Sequence, residues 1–155
     1  MIAAIALGSN LASSFGDREA NLREALRRME ALGRVTAVSS LHDTEPVGYK
    51  EQPRFLNGAV LLDTELAPLE LLRGMLEIER QMGRDRASAT PKGPRAIDLD
   101  LLLYGDVVLT GPELTLPHPG LHERAFVLAP LAEVAPSMQH PGLQRSIAQL
   151  LRGLE

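Results

Sequence analysis

One apolar run of this chain carries two acids on the same side. Residues 97 to 104, Ile-Asp-Leu-Asp-Leu-Leu-Leu-Tyr, are closed by Gly105, and their length and composition predict a buried strand. Side chains on a strand alternate between faces at about 3.3 Å per residue, so Asp98 and Asp100 share a face, roughly 6–7 Å apart. Buried alone they would repel each other and lose their hydration, so the pair calls for a cation. Carboxylate oxygens suit Mg2+, which is commonly held by one or two acids together with substrate phosphates. Just upstream, Arg84, Arg86 and Arg95 offer guanidinium donors whose fixed geometry matches phosphate oxygens. The first expectation is a metal–nucleotide site. Without the acids, such a loop is ordinarily a solvated connector whose charges pair among themselves. The acids tip the balance, because carboxylates inside an apolar strand are seldom buried without partners.

The rest of the composition narrows the class. At 155 residues the chain is expected to form one domain, 1–155, with its own core. A net charge of −4 argues against a nucleic-acid binder held by a broad basic face. The lack of cysteine excludes disulfides, thiolate metal sites and cysteine nucleophiles. The apolar start, Ile2 to Leu7, has no basic lead and is cut short by Gly8-Ser9-Asn10, so it does not read as a signal peptide. No apolar stretch of roughly 18 residues is present, so neither a membrane span nor a membrane partner is expected. A cytoplasmic protein acting on small molecules is the expectation, its oligomeric state open with a monomer as the default.

Periodicity gives the order of elements. Ile2 to Leu7 predicts a strand, and Asp17 a cap for a helix that carries Leu22, Ala25, Leu26 and Met29 on one face and ends at Gly33. Val35 to Leu41 and Phe55 to Leu62 predict strands, with an irregular loop between His42 and Arg54 where Pro46, Gly48 and Pro53 fall. Pro68 opens a second helix with Leu71, Met75, Ile78 and Met82 on one face. A short strand is expected at Val107 to Leu109, a third helix over Leu121 to Ala132, and a terminal helix from about Ser146 to Leu151. Strand–helix–strand–strand–helix–strand is the order of a ferredoxin-like α+β sandwich, an antiparallel sheet with helices packed on it, here with extra C-terminal elements.

Other residues invite chemistry more weakly. The chain has neither a P-loop nor a Gly-rich dinucleotide fingerprint, so bound ATP would be held by side chains and metal. The loop from Gly83 to Arg95 is long enough to act as a lid. Phe55 near Asn57 can stack on and read a flat heterocycle, although either is as readily a core or turn residue. His118, set between Pro117 and Pro119, can donate to a phosphate with Arg124 nearby, or simply occupy a surface turn. His42, His122 and His140 show no ligand spacing and are expected at the surface.

Five segments fall in one order: Leu7-Gly8-Ser9-Asn10-Leu11; Thr44-Glu45-Pro46 with Gln52-Pro53-Arg54-Phe55-Leu56-Asn57; Gly83-Arg84 to Arg86; Gly93-Pro94-Arg95-Ala96-Ile97-Asp98-Leu99-Asp100; and Leu116-Pro117-His118 through Arg124-Ala125-Phe126-Val127-Leu128. On these the chain resembles the 6-hydroxymethyl-7,8-dihydropterin pyrophosphokinases of folate biosynthesis, from the first strand to about Pro136. The resemblance implies a ferredoxin-like fold and transfer of pyrophosphate from ATP to the pterin hydroxymethyl oxygen, releasing AMP. It implies that Asp98 and Asp100 hold two Mg2+ ions, with Arg84 and Arg95 beside them at the reacting groups. Arg86, His118 and Arg124 would join them on the phosphates. Glu79, Leu101, Leu114 and Thr115 would surround the ATP and adenine pocket. Thr44, Val47, Phe55, Asn57 and Phe126, with Asp98, would form the pterin pocket, the two rings sandwiching the pterin. Three positions depart from some relatives: Lys92 stands for a Trp, Phe55 for a Tyr, and Pro119 for an aromatic after the His. No general base is assigned. The alternatives are a nucleotide- or pterin-binding regulatory module on the same fold, or a Mg2+-dependent nucleotidyltransferase or nuclease, which the negative charge disfavours.

Overall fold

The computed structural model describes residues 1–45, 52–83 and 95–155. Strand β1 (Ile2–Ser9) occupies the middle of an antiparallel sheet in which every other member is placed relative to it. Further strands are β2 (Arg34–Val38), β3 (His42–Thr44), β4 (Phe55–Asp63) and β5 (Asp98–Tyr104). The main order is β2-β4-β1-β5, with β3 also paired to β4. Alternation along β1 decides what lies on each side. Ala3, Ile5 and Leu7 face helices α1 (Arg18–Met29) and α2 (Pro68–Gln81), which bury Leu22, Ala25 and Met29, and Leu71, Met75 and Ile78, against them. Ala4 and Ala6 face the opposite layer, where α3 (Ala125–Val134) and α4 (Ile147–Gly153) pack. Helices thus cover both faces of the sheet. The alanines and Gly8 keep the second face thin at the Gly8 end of β1, which leaves room for a site.

A bulge near Ala4 and Ile5 breaks the pairing of β1 with β5, which then continues from Leu101 to Leu103. The extra residue puts Leu102 and Leu103 together in the α3–α4 core while Leu99 and Leu101 stay in the other. That slip explains why three leucines run consecutively in a strand that otherwise alternates. Asp17 caps α1 as expected, its Oδ1 accepting from Ala20 N at 2.9 Å.

Several expectations are corrected. The loop foreseen from His42 begins instead as β3, whose residues pair with Asn57, Leu56 and Phe55. The strand expected at Val107–Leu109 starts only at Leu109: β6 (Leu109–Thr110) pairs with β7 (Thr115–Leu116). The third helix is split into a 3-10 turn at Leu121–Glu123 and α3 proper, which continues through Pro130. A hairpin of β8 (Gln139–His140) and β9 (Arg145–Ser146) precedes α4 and buries His140, so that residue is not at the surface. Among the described residues no helix is long and apolar enough to cross a membrane.

Candidate active site

The alternation of β5 does what its sequence predicts. Leu99 and Leu101 are buried in the core beneath α1 and α2, while Asp98 and Asp100 take the other face, opposite Gly8 and Ala6 of β1. Because those partners have small side chains or none, the two carboxylates stay partly accessible inside a cleft. Asp98 is met by Arg95, whose Nη1 lies 3.4 Å from Asp98 Oδ2 and whose guanidinium carbon sits 5.5 Å from the Phe55 ring centroid. Arg95 therefore stands between an acid and an aromatic face, favourable to both sides of its planar cation.

Besides a small pocket of about 30 Å3 between Gly8, Asn57 and Phe126 that both acids line, two cavities adjoin the acids, both at Asp100 and only the first at Asp98. The first, of about 110 Å3, is walled by Thr44 at the end of β3 and Glu45 beyond it, Phe55 and Asn57 of β4, Arg95, both aspartates, Arg124 and Phe126. Register brings Thr44 opposite Phe55, and Asn57 Nδ2 donates a short hydrogen bond to Thr44 Oγ1. The second, of about 380 Å3, runs between α2 and β7 and is walled by Leu72, Leu76, Leu101, Leu114, Thr115, His118 and, again, Asp100. The first cavity offers two aromatic rings and an amide; the second combines leucine side chains with Asp100, Glu113, Thr115 and His118. Asp100 belongs to both.

His118 is placed by its backbone, which donates to Leu102 O at 2.9 Å after a cis Leu116–Pro117 bond. Its Nδ1 accepts from Gly120 N at 3.1 Å, so in the neutral ring the proton is on Nε2, which is left as the donor. Burial and then the nearby Arg124 cation push its pKa below the ordinary value, with Asp98 pulling weakly the other way. Arg124 in turn lies over Gly120: a Cβ there would fall 2.7 Å from Arg124 Nε. A side chain at that position would displace the guanidinium from this approach.

The expected residues that the structure describes are thus brought together in two groups, with Asp100 where the groups meet and Asp98 and Arg95 on the side of the first. Glu79 is the exception. It is 2% exposed, lines neither cavity, and its Oε2 accepts from Leu99 N at 2.8 Å. Its position secures the outer edge of β5. Arg84, Arg86 and Val47 lie outside the described residues. Sequence reasoning assigned no role to Glu45, which walls the first cavity and lies 3.6 Å from Arg54, or to Leu72 and Leu76 of the groove. For the leucines the available signal was their place about a quarter turn round α2 from Leu71 and Met75, at the edge of the buried face.

The donor set fits a hard divalent cation. Among the described residues no three His, Asp or Glu side chains converge, so two carboxylates would leave positions for water and phosphate oxygens. Mg2+ accepts that kind of incomplete protein shell.

Two adjoining cavities sharing one acid describe a site for two small molecules that meet across a carboxylate pair. The sequence matches the 7,8-dihydro-6-hydroxymethylpterin-pyrophosphokinase (HPPK) family over residues 4–136, and the chain belongs to that family. It is 47% identical over 140 residues to the 2-amino-4-hydroxy-6-hydroxymethyldihydropteridine pyrophosphokinase of Bacillus subtilis, covering 89% of this chain and 80% of that one. The corresponding Pseudomonas aeruginosa protein is 46% identical over 137 residues, covering 88% and 82%. Against the folic acid synthesis protein fol1 of Schizosaccharomyces pombe the identity is 43% over 150 residues, and the chain spans 20% of that protein's length. The fold is shared with the solved HPPK-DHPS protein of Plasmodium falciparum at a TM-score of 0.79 and 18% identity, covering 98% of this chain and 45% of that one.

Proposed function

We propose that this protein transfers the pyrophosphoryl group of ATP to the hydroxymethyl oxygen of 6-hydroxymethyl-7,8-dihydropterin, giving AMP and the pterin diphosphate for folate synthesis. Asp98 and Asp100 would hold two Mg2+ ions. The observation that carries this reading is Asp100, which walls both of these cavities: a triphosphate entering from the leucine-lined groove meets a ring held in the aromatic cavity at that acid. The sheet order β2-β4-β1-β5 supports the ferredoxin-like arrangement expected from the order of elements.

In this reading Leu72, Leu76, Leu101 and Leu114 take the adenine, with Thr115 as a polar contact. Phe55 and Phe126 stack on the pterin, and Asn57, oriented by Thr44, reads its polar edge. When bound, the metal ions neutralise phosphate charge and lower the pKa of the attacking hydroxyl. Arg95 supplies a guanidinium where negative charge accumulates as the hydroxyl oxygen bonds to the β-phosphorus and the bond to the AMP oxygen breaks. Neutral His118 donates through Nε2 to a phosphate oxygen, and Arg124 adds a second cation over Gly120.

The product separates this reading from its neighbours. Incubation with ATP, Mg2+ and the pterin is expected to add a diphosphate mass to the pterin and to form AMP. A monophosphate mass with ADP would replace pyrophosphoryl by phosphoryl transfer. Tight ligand binding without any product would favour a regulatory module.

A further inference from the structure

Asn10 is 2% exposed and has no place in the chemistry above, yet its carboxamide uses all its donors and its acceptor across distant parts of the chain. Nδ2 donates to Gln52 Oε1 at 2.8 Å and to Pro53 O at 2.9 Å. Oδ1 accepts from Arg95 N at 2.8 Å, and Asn10 N donates to Arg95 O at 3.0 Å. The amide orientation is unambiguous, because Pro53 O can only accept and Arg95 N–H can only donate. Asn10 is itself fixed: the next carbonyl, Leu11 O, accepts from the buried Asn21 of α1 at 2.8 Å.

Each partner lies in a wall of the site or a few residues from one. Pro53 leads into Phe55 and Asn57, and Arg95 leads into Asp98. We propose, on the reading of the site given above, that Asn10 is a positioning residue that sets the Arg95 guanidinium against the ring-binding wall and the acid pair. The single amide ties the segment ahead of Phe55 to the backbone of Arg95, so the cation meets the phosphates in register with the bound pterin. Displacements near 1 Å at such a site can cost roughly 10²-fold in rate.

A buried Asn that merely stabilises the fold would act independently of Arg95. The test is a double-mutant cycle on single-turnover AMP formation, with thermal melts alongside, using Asn10→Ala, Arg95→Ala and the pair. Asn10→Ala is expected to slow turnover roughly tenfold to a hundredfold with bound pterin retained. In the Arg95→Ala background the same substitution should cost less than about twofold. Losses that multiply would overturn the positioning role. Should Asn10→Ala fail to fold, Gln52→Ala, which removes one acceptor of the same amide, enters the cycle in its place with the same two outcomes. Wild-type protein lacking pterin-dependent AMP formation would instead remove the functional reading itself, and the proposal with it.

Discussion

At the scale of single residues, the site depends on close approaches and on which proton sits where. Gly8 is an example of the first. A Cβ on it would fall 3.0 Å from Asn57 Oδ1 and 3.7 Å from the Phe55 ring. Gly8→Ala should therefore push the Asn57 amide and, on the proposed reading of the site, raise the pterin KM roughly tenfold, towards the lower end of the 1–3 kcal/mol that overpacking costs. An unchanged KM would show that Asn57 has another way to reach its ligand. His118 is an example of the second. Its pKa is held below the ordinary value near 6.5, so the folded state resists its protonation. The contribution of the neutral ring to stability is complete above pH 6.5 and is lost as pH falls through 6.5 towards the folded value. Melts of wild type and His118→Gln between pH 7.5 and 5.5 should diverge in that window, with wild type losing more. Parallel curves would mean that His118 titrates as it does unfolded. Arg95→Ala is predicted to slow the chemical step by roughly 10²-fold, the scale of losing one electrostatic stabiliser, while weakening pterin binding less. The reverse pattern in single-turnover kinetics would move Arg95 out of the phosphate site.

At the scale of elements, two side chains fasten parts of the sheet that the ladder does not. Glu79 of α2 accepts from Leu99 N on the edge strand β5. Glu79→Ala would leave a buried N–H without that acceptor, at a cost of about 1–3 kcal/mol, whereas Glu79→Gln keeps a carbonyl oxygen in place. Urea unfolding should rank wild type and Gln above Ala; equal midpoints for Ala and Gln would contradict this account of the edge. On the other side, Glu133 of α3 accepts from the Ser40 backbone and hydroxyl and meets His42 at the start of β3. The Ser40 amide, then His42, hold its carboxyl below its ordinary value of 4.5. That stabilisation is present above pH 4.5 and is lost as pH falls through the folded value. It links the strand that carries Thr44 to the helix that carries Phe126, and so bears on the width of the first cavity.

At the scale of the molecule, how much was legible follows from how far apart the interacting residues lie. The main strands and helices were readable because their periodicity is local, as was the acid pair, whose shared face follows from alternation alone. Strand β3 was missed because three residues with a proline two positions beyond them look like loop. It exists only through its register with Phe55 to Asn57. His42 stays near the surface as expected, but its meeting with Glu133, 91 positions away, could not be read locally, and His140, also expected at the surface, is buried by a hairpin that no apolar pattern announces. Asn10 was visible as part of a motif, but its partners stand 42 and 85 positions along the chain. Glu79 was assigned to the nucleotide pocket by resemblance, and its geometry shows a carboxylate bonded to backbone.

The central claim is that one acid pair joins two substrates. It is tested most directly by pterin-dependent AMP formation in wild type, Asp98→Ala and Asp100→Ala, each checked for an intact fold by thermal melting. Robust pterin-dependent AMP formation is expected in wild type, with a fall of roughly 10²–10³-fold or more in either variant and little change in melting temperature. Wild-type-like turnover in either variant would contradict it.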